Sequence, residues 1–354
     1  GTPLAYSRVE RVLTLRELNR ATLSRQLLLE RARLGAGAAI GRLAGLQAQW
    51  SPSPYVALWS RLEGFHRGQL ERALVRGSVV KATLMRATLH LVSAREYPLL
   101  AAAVREAQIG LRTRGVEPPP AAAVARALAL AREGPVTRRD LYRVLGYDRA
   151  PDPAMDVRPL RELHWLIALA DLVQSPEAAM WAPARITTFR ALDLDLAPPD
   201  KGRAHLVRRY LTAYGPASRA DLAQWSGVPL RELAPALDSL RLRTYRDEAG
   251  RELLDLPRAP IASGTEPAPV RFLPRWDEVL LAYDRRERIL PEAYRRRVIA
   301  KNGDVAETFL VDGFVAGLWQ LERGRVVLEP FERLPLRARR ELADEARRLE
   351  AFVR

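Results

Sequence analysis

Residues 203–256 read RAHLVRRYLT AYGPASRADL AQWSGVPLRE LAPALDSLRL RTYRDEAGRE LLDL, and their punctuation decides the fold. Leu206, Tyr210 and Leu211 recur at the spacing of one helical face, so an amphipathic helix is predicted, ending at the Gly215-Pro216 turn. Ser218 follows as an N-cap for Ala220 to Trp225, because its hydroxyl accepts from the free amides of a first helical turn. Gly227 stops that helix, and Val228-Pro229 opens another whose apolar face holds Leu233, Leu237 and Leu240. Two strand-like runs, Leu242 to Tyr245 and Leu253 to Leu256, then flank a polar turn at Asp247 to Gly250. Three helices and a hairpin in this order make a winged helix-turn-helix.

Working outward, the same cadence appears at 121–147. A helical run from Ala121 to Arg132 is followed by Gly134-Pro135-Val136-Thr137 and a short helix from Arg138 to Leu145. Gly-Pro followed within two residues by Ser or Thr marks both copies as an internal repeat. Proline-rich breaks at Pro118-Pro119-Pro120, Pro198-Pro199 and Pro257 to Pro269 divide the chain into segments 1–119, 120–195, 196–262 and 263–354, with Pro151-Asp152-Pro153 as a break inside the second. The last segment changes character. Thr308 to Val311 and Phe314 to Leu321 flank Asp312-Gly313, which predicts a hairpin with a type I′ turn, and another strand starts at Gly324. An amphipathic helix from Leu336 to Phe352, with arginines on its solvent side, closes the chain.

Charge narrows the class of partner. The 354 residues hold 57 Lys and Arg against 42 Asp and Glu, net +15, which favours an acidic polymer. The excess is uneven: 1–119 carry 18 basic and 8 acidic residues, whereas 263–354 carry 18 against 16. With no cysteine, disulfides, thiol nucleophiles, zinc knuckles and iron–sulfur clusters are excluded. His66, His90, His164 and His205 stand at no metal-ligand spacing, so neither metal nor cofactor is expected. No run approaches the ~20 apolar residues of a spanning helix, and the amino terminus lacks a signal-peptide core. A cytoplasmic protein with no membrane partner is expected.

The most basic segment holds Gly45-Leu46-Gln47-Ala48-Gln49-Trp50-Ser51-Pro52. The spacing Ile40, Leu43, Gln47, Trp50 puts a carboxamide on a face that should be buried, where a polar group needs a partner. Pro52 and Pro54 disfavour helix just before them, so the helix is expected to end close by. In an extended segment, positions two apart share a side, and Gln47 and Gln49 converge. Equally, Gln47 reads as a buried side chain satisfied at a helix end and Gln49 as a solvated loop residue. Further on, Thr83 to Val92 reads as a strand with Met85, Ala87, Leu89 and Leu91 on one face and Arg86, Thr88 and His90 on the other. A guanidinium, a hydroxyl and an imidazole in a row suit phosphate or a polar substrate, although His90 reads as well as a hydrogen-bonded strand histidine.

Three passages together resemble the AlkZ/YcaQ family of bacterial DNA glycosylases, a winged-helix superfamily acting on N7-alkylated guanines and interstrand crosslinks. They are Leu46-Gln47-Ala48-Gln49, which fits the family's Gln-apolar-Gln motif, Met85 to His90, and Leu310-Val311-Asp312-Gly313 with Gly317 to Trp319. The resemblance implies an α+β, mainly α, fold of three tandem winged-helix units in a concave DNA-binding scaffold, with a small C-terminal β-barrel. It also implies that Gln47 and Gln49 are catalytic. The YcaQ-type branch carries Asp at the second motif position, so Gln49 places this chain nearer the AlkZ branch, which includes self-resistance proteins against genotoxic natural products.

Alkylation at N7 makes guanine a cationic leaving group, so a site that places a water and stabilises sugar cation character suffices. Glutamine takes no proton at neutral pH, which restricts Gln47 and Gln49 to positioning and electrostatics. Lys81, Lys201 and Lys301 lie away from the motif, so a monofunctional glycosylase leaving an abasic site is expected rather than a lyase. Arg86, Thr88, His90 and Trp50 are the candidates for lesion or phosphate contact, joined by Arg219 and Arg231 on the third unit's helices and Arg243 and Arg246 on its wing. Those arginines also read as solvated faces, and Trp50 as core. The expected partner is double-stranded DNA containing alkylated guanine, bound by a nucleoid-associated monomer. The rival reading is a winged-helix transcription regulator without catalysis, although no long heptad pattern offers the dimer that half-site recognition wants.

Overall fold

Three helices begin with the same reciprocal bond, one in each of the first three segments. Thr14 caps the helix Leu15–Arg25, Thr137 caps Arg138–Val144 and Ser218 caps Arg219–Ser226. In each, the hydroxyl accepts from the third helical amide while the acid there, Glu17, Asp140 or Asp221, accepts from the cap's own amide. The computed structural model in which this is seen describes residues 11–354 apart from 114, 150, 153 and 193.

The 203–256 reading is found as the helices Pro199–Tyr214, Arg219–Ser226 and Leu230–Asp238 followed by the strands Arg243–Asp247 and Glu252–Asp255. Val12–Leu13 pairs in parallel with Arg243–Asp247 and so covers part of one edge of that hairpin. In the second segment the helices Ala121–Glu133 and Arg138–Val144 stand where expected, and the helix Arg158–Leu169 follows. Its strands join those of the first segment in a six-stranded sheet of order Leu46–Gln47, Leu89–Ser93, Val79–Thr83, Val173–Gln174, Thr188–Arg190, Val136–Thr137. The join is the antiparallel pairing of Lys81 with Gln174.

The run 83–92 is not one strand. Val79–Thr83 ends at a 3-10 turn, Met85–Ala87, in which Arg86 and Ala87 both take positive φ, 53° and 56°. Leu89–Ser93 then returns antiparallel to the strand before it. Met85 and Ala87 are buried where the alternation placed them, but in a turn packed on the core; past it the pattern fails, since His90 is fully buried and Leu89 only half-buried.

The C-terminal strands Arg271–Leu273, Thr308–Val311, Phe314–Glu322 and Arg325–Pro330 pair antiparallel in chain order. Asp312 (φ 47°) and Gly313 (φ 83°) give the predicted turn its two positive φ values. The turn docks on the first helix: Asn19 donates to the Gly313 carbonyl at 2.8 Å and buried Arg20 donates to the Asp312 carbonyl at 2.9 Å and to its carboxylate. The expected barrel is corrected. The described sheet is open, because Phe272, Phe309 and Trp319 bury their face in one cluster with Leu342, Ala346 and Leu349 of the helix Leu336–Val353 instead of rolling closed. That helix keeps its arginines outward, while two of its acids turn in: Glu345 pairs with Arg31, and Glu350 accepts from the Val326 amide at 2.9 Å.

The fold is therefore α+β. One core cluster draws on all four segments and contains Tyr210, Tyr214, Trp225 and Tyr283. The Tyr210 and Trp225 rings meet tilted at 37°, with centroids 5.1 Å apart. No described helix is long and apolar enough to cross a membrane.

Candidate active site

The helix Ala36–Arg42 stops four residues before the first glutamine, at Leu43, Ala44 and Gly45. Gly45 has φ 98°, and a Cβ there would stand 3.1 Å from Val92 Cγ1, so the reversal wants glycine on both counts. The extended pair Leu46–Gln47 follows, with Gln47 opposite His90. Leu46 and Ala48 enter an apolar cluster, and Gln47 takes the other face, as period-two geometry requires.

On that face the Gln47 carbonyl Oε1 accepts from Arg86 Nη2 at 2.9 Å. Arginine only donates, which fixes the amide orientation. Gln47 itself is buried, 6% exposed, in the extended pair. Arg86 Nη2 also donates to Glu278 Oε1 at 2.9 Å, and Arg86 Nη1 to the Trp225 carbonyl at 2.5 Å. Three segments of chain thus fix one guanidinium.

Glu278 is the centre of the arrangement. It is buried, and its Oε1 also lies 3.0 Å from His90 Nε2 while its Oε2 accepts from Trp225 Nε1 at 3.0 Å. Burial pushes its carboxyl up, but the charge and hydrogen bonds of Arg86 and His90 prevail and hold it down at about 2. His90 is wholly buried, with Nδ1 3.0 Å from the Thr88 carbonyl, so each ring nitrogen faces an acceptor and only a doubly protonated ring donates to both. Next in sequence, Asp277 accepts from both Arg61 terminal nitrogens at 2.8 and 2.7 Å, an ion pair sealed in the core that anchors the Glu278 turn.

Gln49 is exposed at the end of the extended segment, and its Oε1 accepts from the Leu89 amide at 3.2 Å. It lines a cavity of about 150 Å³ between the helices Tyr97–Arg112 and Arg158–Leu169. Thr88 donates its hydroxyl to the Met85 carbonyl at 3.0 Å, closing the turn that carries Arg86. Trp50 is partly exposed beside the motif, whereas Tyr55 is buried with its hydroxyl on the Ala179 carbonyl.

The remaining predicted contacts lie apart from this centre. Arg219, at the start of its helix, faces Asp238 at 3.7 Å and Glu252 at 3.9 Å. Arg231 is exposed, Arg243 lies over the Tyr245 ring at 5.2 Å, and Arg246 donates to the Gly250 carbonyl at 2.9 Å. Reading the sequence missed Glu278, Trp225 and the Arg61–Asp277 pair. The one available signal was Asp277-Glu278, two acids inside the apolar run from Val270 to Tyr283. Among the described residues no cluster of three or more His, Asp or Glu is placed to hold a metal ion.

The arrangement holds neutral carboxamides beside a balanced Arg86–Glu278 pair, so it can orient a water and present dipoles but has no ready proton acceptor at the motif. The chain as a whole is similar to DNA glycosylases. A family model described as "DNA glycosylase AlkZ-like" matches residues 40–352. The chain is 27% identical over 347 residues to an "Interstrand DNA cross-link repair glycosylase" of Streptomyces sahachiroi, covering 89% of this chain and 91% of that one. The solved Streptomyces sahachiroi DNA glycosylase AlkZ superposes with a TM-score of 0.82 at 23% identity, over 97% of this chain and 98% of that one.

Proposed function

The chain belongs to the AlkZ-like DNA glycosylases, and from that premise we propose that it hydrolyses the N-glycosidic bond of N7-alkylated guanine in duplex DNA and leaves an abasic site. Bulky adducts and interstrand crosslinks fall within the proposed range, in keeping with the printed name of the Streptomyces sahachiroi relative. The glutamine at the second motif position is the reason to add self-resistance to a genotoxic natural product as the setting. The proposed actor is a monomer at the bacterial nucleoid, built as three tandem winged-helix units on segments 1–119, 120–195 and 196–262 with 263–354 packed against them. The recurring capping boxes support that repeat.

The observation that carries the reading is the hydrogen bond of Arg86 to Gln47, with Arg86 itself held by buried Glu278. A carbonyl oxygen has two lone pairs. Arg86 occupies one on Gln47 and the Leu89 amide one on Gln49, which leaves each carboxamide a second for the attacking water. Drawn toward a cation, the Gln47 carbonyl is a poor base. It orients water without activating it strongly, which suits a leaving group already charged by alkylation and spares ordinary guanine. His90 and Arg86 are assigned to positioning. Thr88, Trp50, Arg219, Arg231, Arg243 and Arg246 are assigned to the DNA face.

The test is an N7-methylguanine duplex incubated with the protein, then cleaved at abasic sites with alkali. Scission at the methylated base, none at unmodified guanine, and none with Gln47→Ala or Gln49→Ala is the expected result. Sequence-selective binding without scission overturns it.

A further inference from the structure

We propose that the cavity beside Gln49 is a phosphate site that takes one phosphodiester of the lesion-bearing strand through Arg112 and Arg138. The choice of DNA as the source of that phosphate rests on the glycosylase reading above.

The cavity has more cations than its walls can match. Among the described residues Arg105, Arg112 and Arg138 line it against one acid, Asp171. Arg105 pairs with Asp171, which leaves the other two guanidiniums without an anion. Arg112 is half-buried, and its bonds go to neutral acceptors: Nη1 lies 2.8 Å from His164 Nε2, and Nη2 donates to the Ala87 carbonyl. Arginine can only donate, so His164 Nε2 is the acceptor and the ring is not doubly protonated. Burial, Arg112 and Arg138 together push the His164 imidazole down to about 4. Burial and Arg138 lower Arg112 as well. Arg138 is exposed at the mouth and engages no acid or acceptor among the described residues.

Two guanidiniums in repulsive range, one partly desolvated, are unfavourable until an anion arrives. A phosphodiester supplies one charge and two free oxygens, which suits two planar donors approaching from different helices. The position also suits the reaction. Gln49 lines the same cavity, and the bond from Arg112 to the Ala87 carbonyl ties the site to the turn that carries Arg86. A phosphate held here places the backbone of the damaged nucleotide against Gln49 without requiring the base to leave the stack.

The measurement is affinity for a duplex with an uncleavable abasic analogue, followed by fluorescence anisotropy across salt, for wild type, Arg138→Ala and Arg138→Lys. Arg138 is exposed, so both variants fold. The salt slope of log K is expected to be shallower by about 0.9 in Arg138→Ala. Its deficit against wild type then shrinks about threefold between about 50 and 200 mM salt. Lysine restores the slope. Replacing single phosphates by neutral methylphosphonate should find one position that weakens wild type and leaves Arg138→Ala unchanged. Equal slopes for wild type and Arg138→Ala overturn the proposal. So does inorganic phosphate raising the melting temperature of wild type alone while the duplex slopes coincide, which means a site for the free anion. Binding here needs no catalysis: a slope difference without cleavage of N7-methylguanine sinks the glycosylase substrate and keeps the phosphate site.

Discussion

Glu278 Oε1 serves Arg86 Nη2 at 2.9 Å and His90 Nε2 at 3.0 Å, so the centre of the Met85–Ala87 turn and the strand that leaves it are drawn onto one buried oxygen. Removing that charge while keeping its shape strands the Arg86 guanidinium. Glu278→Gln should cost about 3–5 kcal/mol, the usual consequence of breaking one side of a buried pair. Urea unfolding measures it; a loss below about 1 kcal/mol would mean that Arg86 finds water instead.

The same carboxylate sets an acid limit. Its folded pKa of about 2 lies below the ordinary 4.5, so its contribution is complete above pH 4.5 and lost as pH falls toward 2. The loss amounts to roughly 3 kcal/mol. The stability gap between wild type and Glu278→Gln should therefore be wide at pH 6 and narrow toward pH 2. A gap of constant width across that range assigns the acid sensitivity to other carboxylates.

Truncating the glutamines should separate chemistry from folding. Gln47→Ala and Gln49→Ala each remove a water-orienting carbonyl at the surface of the site, and single-turnover cleavage of N7-methylguanine is expected to slow about 100-fold. Gln49 is exposed, so its change should cost no more than about 1 kcal/mol of stability, whereas Gln47 is buried and accepts from Arg86, so Gln47→Ala should cost about 1–3 kcal/mol and its rate is compared under conditions where the variant is folded. Equal rates in wild type and both variants would remove the motif from the mechanism.

What could be read in the chain was what is local. The Ser218 cap and the Asp312-Gly313 turn announce themselves within a few residues, and each stands where the spacing put it. Gln47 was visible for the same reason, as a carboxamide at a position the spacing marks as buried, although the segment is extended and not helical there. Glu278 was not, because it meets Arg86 across 192 positions of sequence and only the packed fold joins them. The Met85–Ala87 turn was hidden differently: it has no glycine, proline or asparagine, and its positive φ values are held by packing rather than written in turn residues. The barrel failed as an inference from kinship, since the apolar face that would have rolled inward found a helix to cover it.

That packing makes one distant glycine a site residue. Gly227 ends the helix Arg219–Ser226 with φ 73°, and a Cβ there would stand 2.9 Å from the Arg86 Cα and 3.0 Å from its backbone nitrogen. Backbone cannot swing aside as a flexible side chain does. Gly227→Ala should cost about 1–2 kcal/mol from the left-handed conformation alone, with a further about 1–3 kcal/mol from overlap. The turn must then shift away and draw Arg86 from Gln47, so cleavage should fall even at temperatures where the variant is fully folded. A Gly227→Ala protein that loses stability but keeps wild-type cleavage would show that the Arg86 to Gln47 bond is dispensable for the reaction.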